Sequence, residues 1–214
     1  MSRRLLRLGV RVPPDKCVFR VHGLGADPGG MQAPPRPVGT LLSVGYDQMW
    51  IASLQDDVDV TVLLEEWDAH PPPGPEPWEE ESEQELYLRG AVAISTSAAE
   101  PVLHGVRLLG GVGRYRVRVR ARYRTEIARL YDGLLDRFRS GFSQEFQAAL
   151  RELQGVEHYL VQLWPSAPTG PQRVVADSAF DPLTAPAAAL PVPAPAEETG
   201  PLPALPETPE PVSD

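Results

Sequence analysis

Hydrophobic and polar residues alternate without interruption between residues 113 and 124. Side chains of a β-strand point to opposite faces in turn, so this pattern predicts a half-buried strand with one apolar and one cationic face. A sheet must form around such a strand. Its apolar face carries Tyr115, Val117, Val119, Ala121 and Tyr123, and its cationic face carries Arg114, Arg116, Arg118, Arg120, Arg122 and Arg124.

Shorter runs of the same alternation predict further strands on both sides of the arginine-rich one. The run Gly110-Gly111-Val112-Gly113 predicts a hairpin turn, because glycine adopts positive φ without steric cost. Strands at such short spacing, without regular β-α-β alternation, are typical of an antiparallel β-sandwich. The additional predicted strands cover residues 17–22, 41–54, 56–66, 86–97, 102–109 and 158–164.

Residues 125–154 change to a helical spacing, with apolar residues recurring every three or four positions. Ser140-Gly141 predicts a break into two helices, with Thr125 and Ser143 near their starts. We therefore predict a mainly β fold, an antiparallel β-sandwich with one amphipathic helical insertion. The alternative is an open antiparallel sheet with the helix pair on one face.

The predicted β-sandwich domain spans residues 17–165 and lies between two segments of different composition. Residues 1–16 are basic and predict a flexible N-terminus. A loop insertion at 68–85, rich in proline and then in glutamate, is typical of a solvated segment. Residues 166–214 are a Pro- and Ala-rich acidic tail, which we expect to be disordered because it has few apolar groups to offset its ordering entropy.

The overall charge and the single cysteine limit the class of protein. A net charge of −9 argues against a protein that coats nucleic acid as a whole. Cys17 is alone, so neither an intramolecular disulfide nor a CxxC motif is expected, which fits a reducing compartment. The pattern shows no secretory signal and no run of the roughly 20 apolar residues that cross a membrane. With the Arg, Ala and Pro bias of a GC-rich bacterial genome, we predict a soluble cytoplasmic protein without membrane contact.

The residues that usually carry catalysis are scattered along the sequence. None of the four histidines pairs with another histidine or a cysteine at ligand spacing, so we predict no metal site. Ser95, Ser97 and Cys17 have no general base beside them in the sequence. We therefore predict a protein that is not an enzyme and holds no cofactor. The histidines are His22, His70, His104 and His158.

The cationic strand face is the strongest candidate for a binding surface. A row of guanidinium groups can bind an acidic protein partner or, as an alternative, nucleic acid or another polyanion. A third interpretation is that the row pairs inside the fold with Asp57, Asp59 or Glu65, or is a solvated face that protects a sheet edge. The candidate partner-binding residues on this face are Arg114, Arg116, Arg118, Arg120 and Arg122.

A second candidate cluster comprises Tyr46, Asp47 and Trp50. Asp47 and Gln48 are polar residues inside a predicted strand. Such residues either contact a ligand or mark a bulge or strand end where they satisfy backbone groups.

Four segments, at residues 46–51, 90–94, 113–117 and 157–165, resemble in this order the competence protein J family of small, β-rich bacterial proteins. The resemblance covers about residues 40–165. It implies a β-rich fold and, because the best-known member inhibits a partner nuclease, a role as an inhibitor or regulator of another protein. The segments are Tyr46-Asp47-Gln48-Met49-Trp50-Ile51, Gly90-Ala91-Val92-Ala93-Ile94, Gly113-Arg114-Tyr115-Arg116-Val117 and Glu157-His158-Tyr159-Leu160-Val161-Gln162-Leu163-Trp164-Pro165.

Overall fold

Eight strands form one sheet in the computed structural model, which describes residues 2–26, 33–75, 77–96, 101–138, 141 and 143–166. The spatial order is β1-β5-β8-β7-β6-β2-β4-β3. The strands are β1 (Arg4–Val12), β2 (Val18–Gly23), β3 (Leu42–Val44), β4 (Gln48–Ala52), β5 (Val60–Trp67), β6 (Glu80–Ser95), β7 (Pro101–Arg122) and β8 (His158–Pro165); the helices are α1 (Arg124–Arg137) and α2 (Gln144–Leu153).

The sheet folds back on itself through its two longest strands, β6 and β7. The second half of β7 and the first half of β6 pair beside β8, whereas their other halves pair beside β2. Gly90 and Gly111 take positive φ where the register of the two strands shifts. Such bulges bend a strand and increase its twist, so the sheet turns a corner here. The predicted hairpin turn at residues 110–113 is instead this bend within continuous β7.

The two halves of the sheet enclose one hydrophobic core. In a flat sheet β8 and β4 would lie roughly 19 Å apart, at about 4.8 Å per strand. Instead, the Tyr159 hydroxyl of β8 donates to the Ala52 carbonyl of β4 over 2.8 Å. The rings of Phe19 and Tyr159 meet edge to face at 4.9 Å. The mainly β fold with a helical insertion is therefore confirmed, and its two layers belong to one continuous sheet.

One pair of neighbouring strands, β5 and β8, is parallel, so the sheet is mixed rather than wholly antiparallel. A parallel pair needs a long crossover connection. Here the chain between β5 and β8 includes β6, β7 and both helices. This long connection allows β5 and β8 to pair in parallel. The short spacing between consecutive predicted strands gives no sign of it.

The N-terminal segment differs from the predicted flexible lead-in, because Arg4–Val12 forms β1 and pairs with β5. Leu8 and Val10 stand opposite Leu64 and Val62. The apolar alternation of this segment is what lets it extend the buried face of the sheet.

The second half of the predicted loop insertion is also a strand. Glu80–Ser95 forms β6, and its first half pairs with the arginine-rich half of β7. The glutamates that suggest a solvated segment in isolation lie opposite arginines, so a strand is stable there. The predicted disordered tail, beyond Ser166, lies outside the described residues.

The helical insertion is confirmed as two helices that pack mainly on each other. Ser143 caps α2, since its side chain accepts from the Phe146 amide. Phe138 and Phe146 meet edge to face at 6.0 Å. Ile127 and Phe146 are the buried apolar residues of the two helices. Thr125 does not cap α1; the Glu79 carboxylate accepts from the Arg124 and Thr125 amides instead.

Candidate functional site: the arginine face and its groove

The five candidate arginines lie on the outer face of β7, where most of them meet glutamates of β6. The strand register places Glu81, Glu83 and Glu85 opposite Arg120, Arg118 and Arg116. Arg120 pairs with the glutamate directly opposite, whereas Arg114 and Arg116 each pair with a glutamate at a diagonal position of β6. The N–O distances are 2.8 Å for Arg114–Glu85, 2.6 Å for Arg116–Glu83 and 2.6 Å for Arg120–Glu81.

Two of the three acidic residues expected to pair with the arginine row, Asp57 and Asp59, bind other groups instead. Asp57 accepts from the Tyr131 hydroxyl, and the Asp59 backbone binds the Gln154 side chain through its amide and the Gly155 amide through its carbonyl. Glu65 does belong to the arginine face, but it reaches Arg118 through the Gln162 side chain. The internal pairing interpretation therefore holds for most of the row, with glutamates of the segment predicted as a loop.

A polar relay crosses four strands on this outer face. The Arg4 guanidinium of β1 donates to Glu65 Oε1 of β5 over 2.8 Å, and Arg7 Nε lies 3.7 Å from the same oxygen. Gln162 of β8 donates to Glu65 Oε2 over 2.8 Å. Arg118 of β7 donates to Gln162 Oε1 over 2.8 and 3.1 Å. The relay holds Arg4 and Arg7 toward the centre of the face.

The charge state of this relay follows from its contacts. Burial alone would raise the pKa of Glu65, but hydrogen bonds from Gln162, Trp67 and Arg4 outweigh it and lower that pKa. Glu65 is therefore ionised at neutral pH. Burial lowers the pKa of Arg118, which stays charged because a guanidinium does not deprotonate in this range.

The segment between β5 and β6 crosses the outer face instead of extending into solvent. His70 stacks edge to face on Trp164 at 5.2 Å, and the Pro71 carbonyl accepts from Arg118. Farther along, the Arg122 guanidinium lies 5.3 Å from the Trp78 ring centroid. The proline-rich residues 71–75 lie over the outer face between these contacts, and we call them the bridge.

A groove of about 480 Å³ remains between this bridge and the sheet. Leu63 of β5 and Leu160 of β8 contribute apolar lining, and they are direct neighbours in the parallel register. Four arginines and one glutamate carry the charges of the lining. The lining residues are Arg4, Arg7, Leu63, Glu65, Trp67, Pro72, Pro73, Gly74, Pro75, Trp78, Arg120, Arg122, His158, Leu160 and Gln162.

Only two of the predicted arginines, Arg120 and Arg122, line this groove. Arg114 and Arg116 lie farther along β7 in exposed ion pairs, and Arg118 is buried beside the bridge. Sequence reasoning did not identify Arg4, Arg7, Trp67 and Trp78. The outward alternation of Arg7 and Arg11 on β1 is a signal for Arg7. The strand register shifts between Arg4 and Leu6, so Arg4 is outside this alternation, and Trp78 reaches the groove only because the chain folds back.

The second candidate cluster does not join the groove. Tyr46 is exposed in the turn between β3 and β4 and stacks on Tyr87 at 5.0 Å. Trp50 is buried, with the Arg20 and Arg36 guanidiniums each 5.7 Å from its ring centroid. Asp47 is also buried and lies 3.1 Å from Arg89. Burial raises the pKa of Asp47, and Arg89 opposes this shift.

Asp47 makes one glycine of β2 indispensable. A Cβ atom at Gly23 would lie 2.1 Å from Asp47 Oδ1 and 2.5 Å from its Cγ. We expect Gly23→Ala to lower the free energy of unfolding by about 1–3 kcal/mol, the usual cost of overpacking. Chemical denaturation measures this, and Gly133→Ala, where a Cβ meets nothing within 4 Å, is the control. Wild-type stability of Gly23→Ala would contradict the contact.

The structure places Ser95, one of the serines without a general base beside it in the sequence, next to a histidine that is distant in sequence. His22 Nε2 lies 3.1 Å from Ser95 Oγ, and His22 Nδ1 lies 2.9 Å from the Gly23 carbonyl. Arg20 donates to the same serine oxygen over 3.3 Å. Ser95 has no exposed surface. Burial, followed by the Arg20 charge, lowers the pKa of His22, which favours its neutral form. The neutral His22 and the cationic Arg20 of β2 both contact Ser95, so the network connects β2 to β6.

Neither a cluster of metal ligands nor a helix suited to cross a membrane occurs among the described residues. Within the described residues, no three His, Cys, Asp or Glu side chains are grouped as metal ligands. In the same part of the chain, no helix has the length and apolar character to cross a membrane.

Comparisons with known proteins concern the fold. No family model matches the chain, and no curated protein matches it. Among solved structures, the chain is similar to Bacillus subtilis ComJ, an inhibitor of the DNA degrading activity of NucA, at 8% identity and a TM-score of 0.45 over 77% of this chain and 98% of ComJ. It is also similar to the protein of crocagin biosynthetic gene J, at 11% identity and a TM-score of 0.42 over 78% and 99% of the two chains. The suspected resemblance to the competence protein J family therefore has a counterpart among solved structures.

Proposed function

We propose that this chain is a non-enzymatic protein-binding module whose groove on the outer sheet face holds an acidic segment of a partner protein. The groove carries the proposal, because its lining combines four arginines with Trp67, Trp78 and a run of prolines. Tryptophan and arginine dominate the energetics of protein interfaces. Following the sequence resemblance, we further propose that the partner is an enzyme such as a nuclease, which the chain inhibits or regulates.

The geometry favours a ligand with carboxylates around an apolar centre. Leu63 and Leu160 offer an apolar contact, while Arg7 and Arg122 stand at different sides of the lining. Arg4 and Arg7 are about half exposed, and among the described residues Glu65 Oε1 is the carboxylate oxygen that lies near Arg4 Nη1 and Arg7 Nε. Their remaining N–H groups are available to a carboxylate, and a guanidinium binds a carboxylate strongly when both groups are pre-positioned.

A second candidate function is binding of single-stranded nucleic acid. The observation that favours it is a shallow recess on the other side of Trp78, lined by Arg122, Tyr123 and Arg129. Aromatic rings between cationic groups are typical of surfaces on which bases stack. Glu79 and Glu126 also line this recess, and their charge opposes a phosphate backbone.

The test uses peptides selected on the purified full chain from a random peptide library. We expect the selected peptides to be rich in Asp and Glu around an apolar residue. Arg7→Gln and Trp78→Ala should each weaken binding at least tenfold, about 1.4 kcal/mol, by calorimetric titration. Arg11→Gln is the matched control, because Arg11 is an exposed arginine of the same strand outside the groove lining.

Two results would contradict the proposal. One is a selection without acidic enrichment; the other is equal binding by wild type, Arg7→Gln and Trp78→Ala. Oligo-dT that binds more tightly than the peptides, with affinity falling steeply as salt rises, would favour the nucleic-acid candidate instead. Inhibition of a host nuclease by the wild-type chain but not by Trp78→Ala would support the regulatory role.

A further inference from the structure

The folded sheet has four edges, and three of them carry features that prevent pairing with another chain. The edge strand β1 exposes Arg4, Arg7 and Arg11, and the first half of β6 is rich in glutamate. The third edge, β3, is only three residues long. Charged side chains and short length both protect strand edges. The fourth edge is the first half of β7.

Within the described residues, the first half of β7 pairs on one side only. Its neighbour β6 pairs with residues 101–121, but β8 begins to pair at Tyr115. The Leu109 and Gly110 amides are bound by the Glu66 carboxylate over 2.8 and 2.7 Å. Residues 101–108 therefore have no ladder partner on this side among the described residues, although β1 also contacts β7.

This edge is apolar where the other edges are charged. Three large apolar side chains on or beside it are 41%, 64% and 54% exposed, those of Val102, Leu109 and Val112. On the inner side, Leu103 and Val106 pack against the core and leave part of their surface uncovered. An added strand would extend the core at this point, because its inward side chains would lie beside Leu103 and Val106.

Arg107 is the charged side chain exposed along residues 101–108 of this edge, and the segment contains no acidic residue. His104 and Arg107 are exposed on the outer side, and β7 contains no Asp or Glu in its 22 residues. Arg114, Arg116 and Arg120 have ion-pair partners, whereas Arg107 makes no ion pair among the described residues. Opposite charges in directly facing cross-strand positions stabilise a sheet.

We propose that residues 101–108 of β7 accept an extended strand of a partner protein in which apolar and acidic residues alternate. The apolar residues would face the core beside Leu103 and Val106, and the acidic residues would stand beside His104 and Arg107. Main-chain hydrogen bonds supply affinity in such strand addition, and alternate side chains supply specificity. This site is separate from the groove and does not depend on it.

The experiment measures hydrogen exchange, in the full chain, of those amides of residues 102–108 that do not bond to β6. The probe is a short acetylated and amidated peptide of alternating Glu and Val. At saturation we expect exchange of these amides to slow at least tenfold. The same peptide with alternate backbone N-methylation, and a Lys/Val peptide of the same pattern, should give no protection, since the first lacks the N–H donors and the second has the opposite charge.

Variants distinguish binding at this edge from binding in the groove. Arg107→Glu should abolish the protection, whereas Arg151→Glu, at an exposed position of α2, should retain it. Trp78→Ala, which removes a groove residue, should also retain it, so failure of the groove proposal is distinguishable. Slow exchange of these amides in the free chain, by self-association or otherwise, would overturn the proposal. Equal protection by the N-methylated peptide would also overturn it.

Discussion

Replacing Arg118 and Arg120 together by glutamate should lower the free energy of unfolding by about 3 kcal/mol or more, the usual result of breaking a buried polar pair. Both side chains are buried in the outer face. The new carboxylates would stand beside Glu81 and Glu83, which now face cations. For a domain of this size, the melting temperature should fall by roughly 10 °C.

The matched control is the reversal of Arg114 and Arg116, on the same face of the same strand. Their side chains are 75% and 49% exposed, and each has one glutamate partner. Exposed ion pairs contribute at most about 1 kcal/mol each, so this double variant should melt close to wild type. Equal melting of the two double variants would contradict the burial of Arg118 and Arg120.

This comparison also changes how the arginine row can be tested for recognition. Loss of binding in the Arg118 and Arg120 variant would not separate lower stability from a missing contact, because Arg120 also lines the groove. Exposed groove residues such as Arg7, which is about half exposed, are the positions where binding and stability separate. The candidate arginines of this strand therefore differ in burial: Arg118 and Arg120 are buried, whereas Arg114 and Arg116 are exposed.

The second large effect concerns Glu157, which is fully buried between β8 and the chain after β4. Its carboxyl group contacts the Ser53 hydroxyl at 3.1 Å, the Gln55 amide at 3.0 Å and the Tyr159 hydroxyl. We expect Glu157→Ala to lower the free energy of unfolding by about 3 kcal/mol, because it leaves a cavity and unsatisfied polar groups. Chemical denaturation measures this.

Burial of Glu157 shifts its equilibrium toward the protonated form in the folded chain. The Tyr159 hydroxyl has one hydrogen and two acceptors within reach, the Ala52 carbonyl at 2.8 Å and the Glu157 carboxyl group, so it can donate to the Ala52 carbonyl. A protonated Glu157 can then donate to the Tyr159 oxygen. Burial raises the pKa of Glu157, and this effect outweighs the hydrogen bonds that lower it. Glu157→Gln preserves a donor at this position and should stay within about 1 kcal/mol of wild type.

The raised pKa also predicts a pH dependence with a definite sign. The folded chain binds the Glu157 proton more tightly than the unfolded chain does. Its contribution to stability is therefore fully present below about pH 4.3, the ordinary pKa of glutamate, and is lost as pH rises through the folded pKa. The stability of Glu157→Gln relative to wild type should increase with pH across this window. A difference that is constant with pH would mean that the proton is absent.

The strands and helices of this protein follow from local sequence patterns. Alternation with period two predicts the arginine-rich part of β7, and the three- and four-residue spacing predicts both helices, with Ser143 confirmed as a cap. Local breaks were less informative. The glycines at 110–113 predict a turn, whereas they bend a continuous strand, because a bulge and a turn require the same backbone freedom.

Charge pairing and the groove depend on contacts between distant parts of the chain. The sequence by itself determined that β7 has an apolar and a cationic face, since alternation is a property of one strand. Only the tertiary structure decided that Glu81, Glu83 and Glu85 meet the cations, because strand register depends on the whole fold. It likewise decided that Trp78 returns over Arg122 and encloses the groove, since the path of a proline-rich loop is set by the surface it packs on.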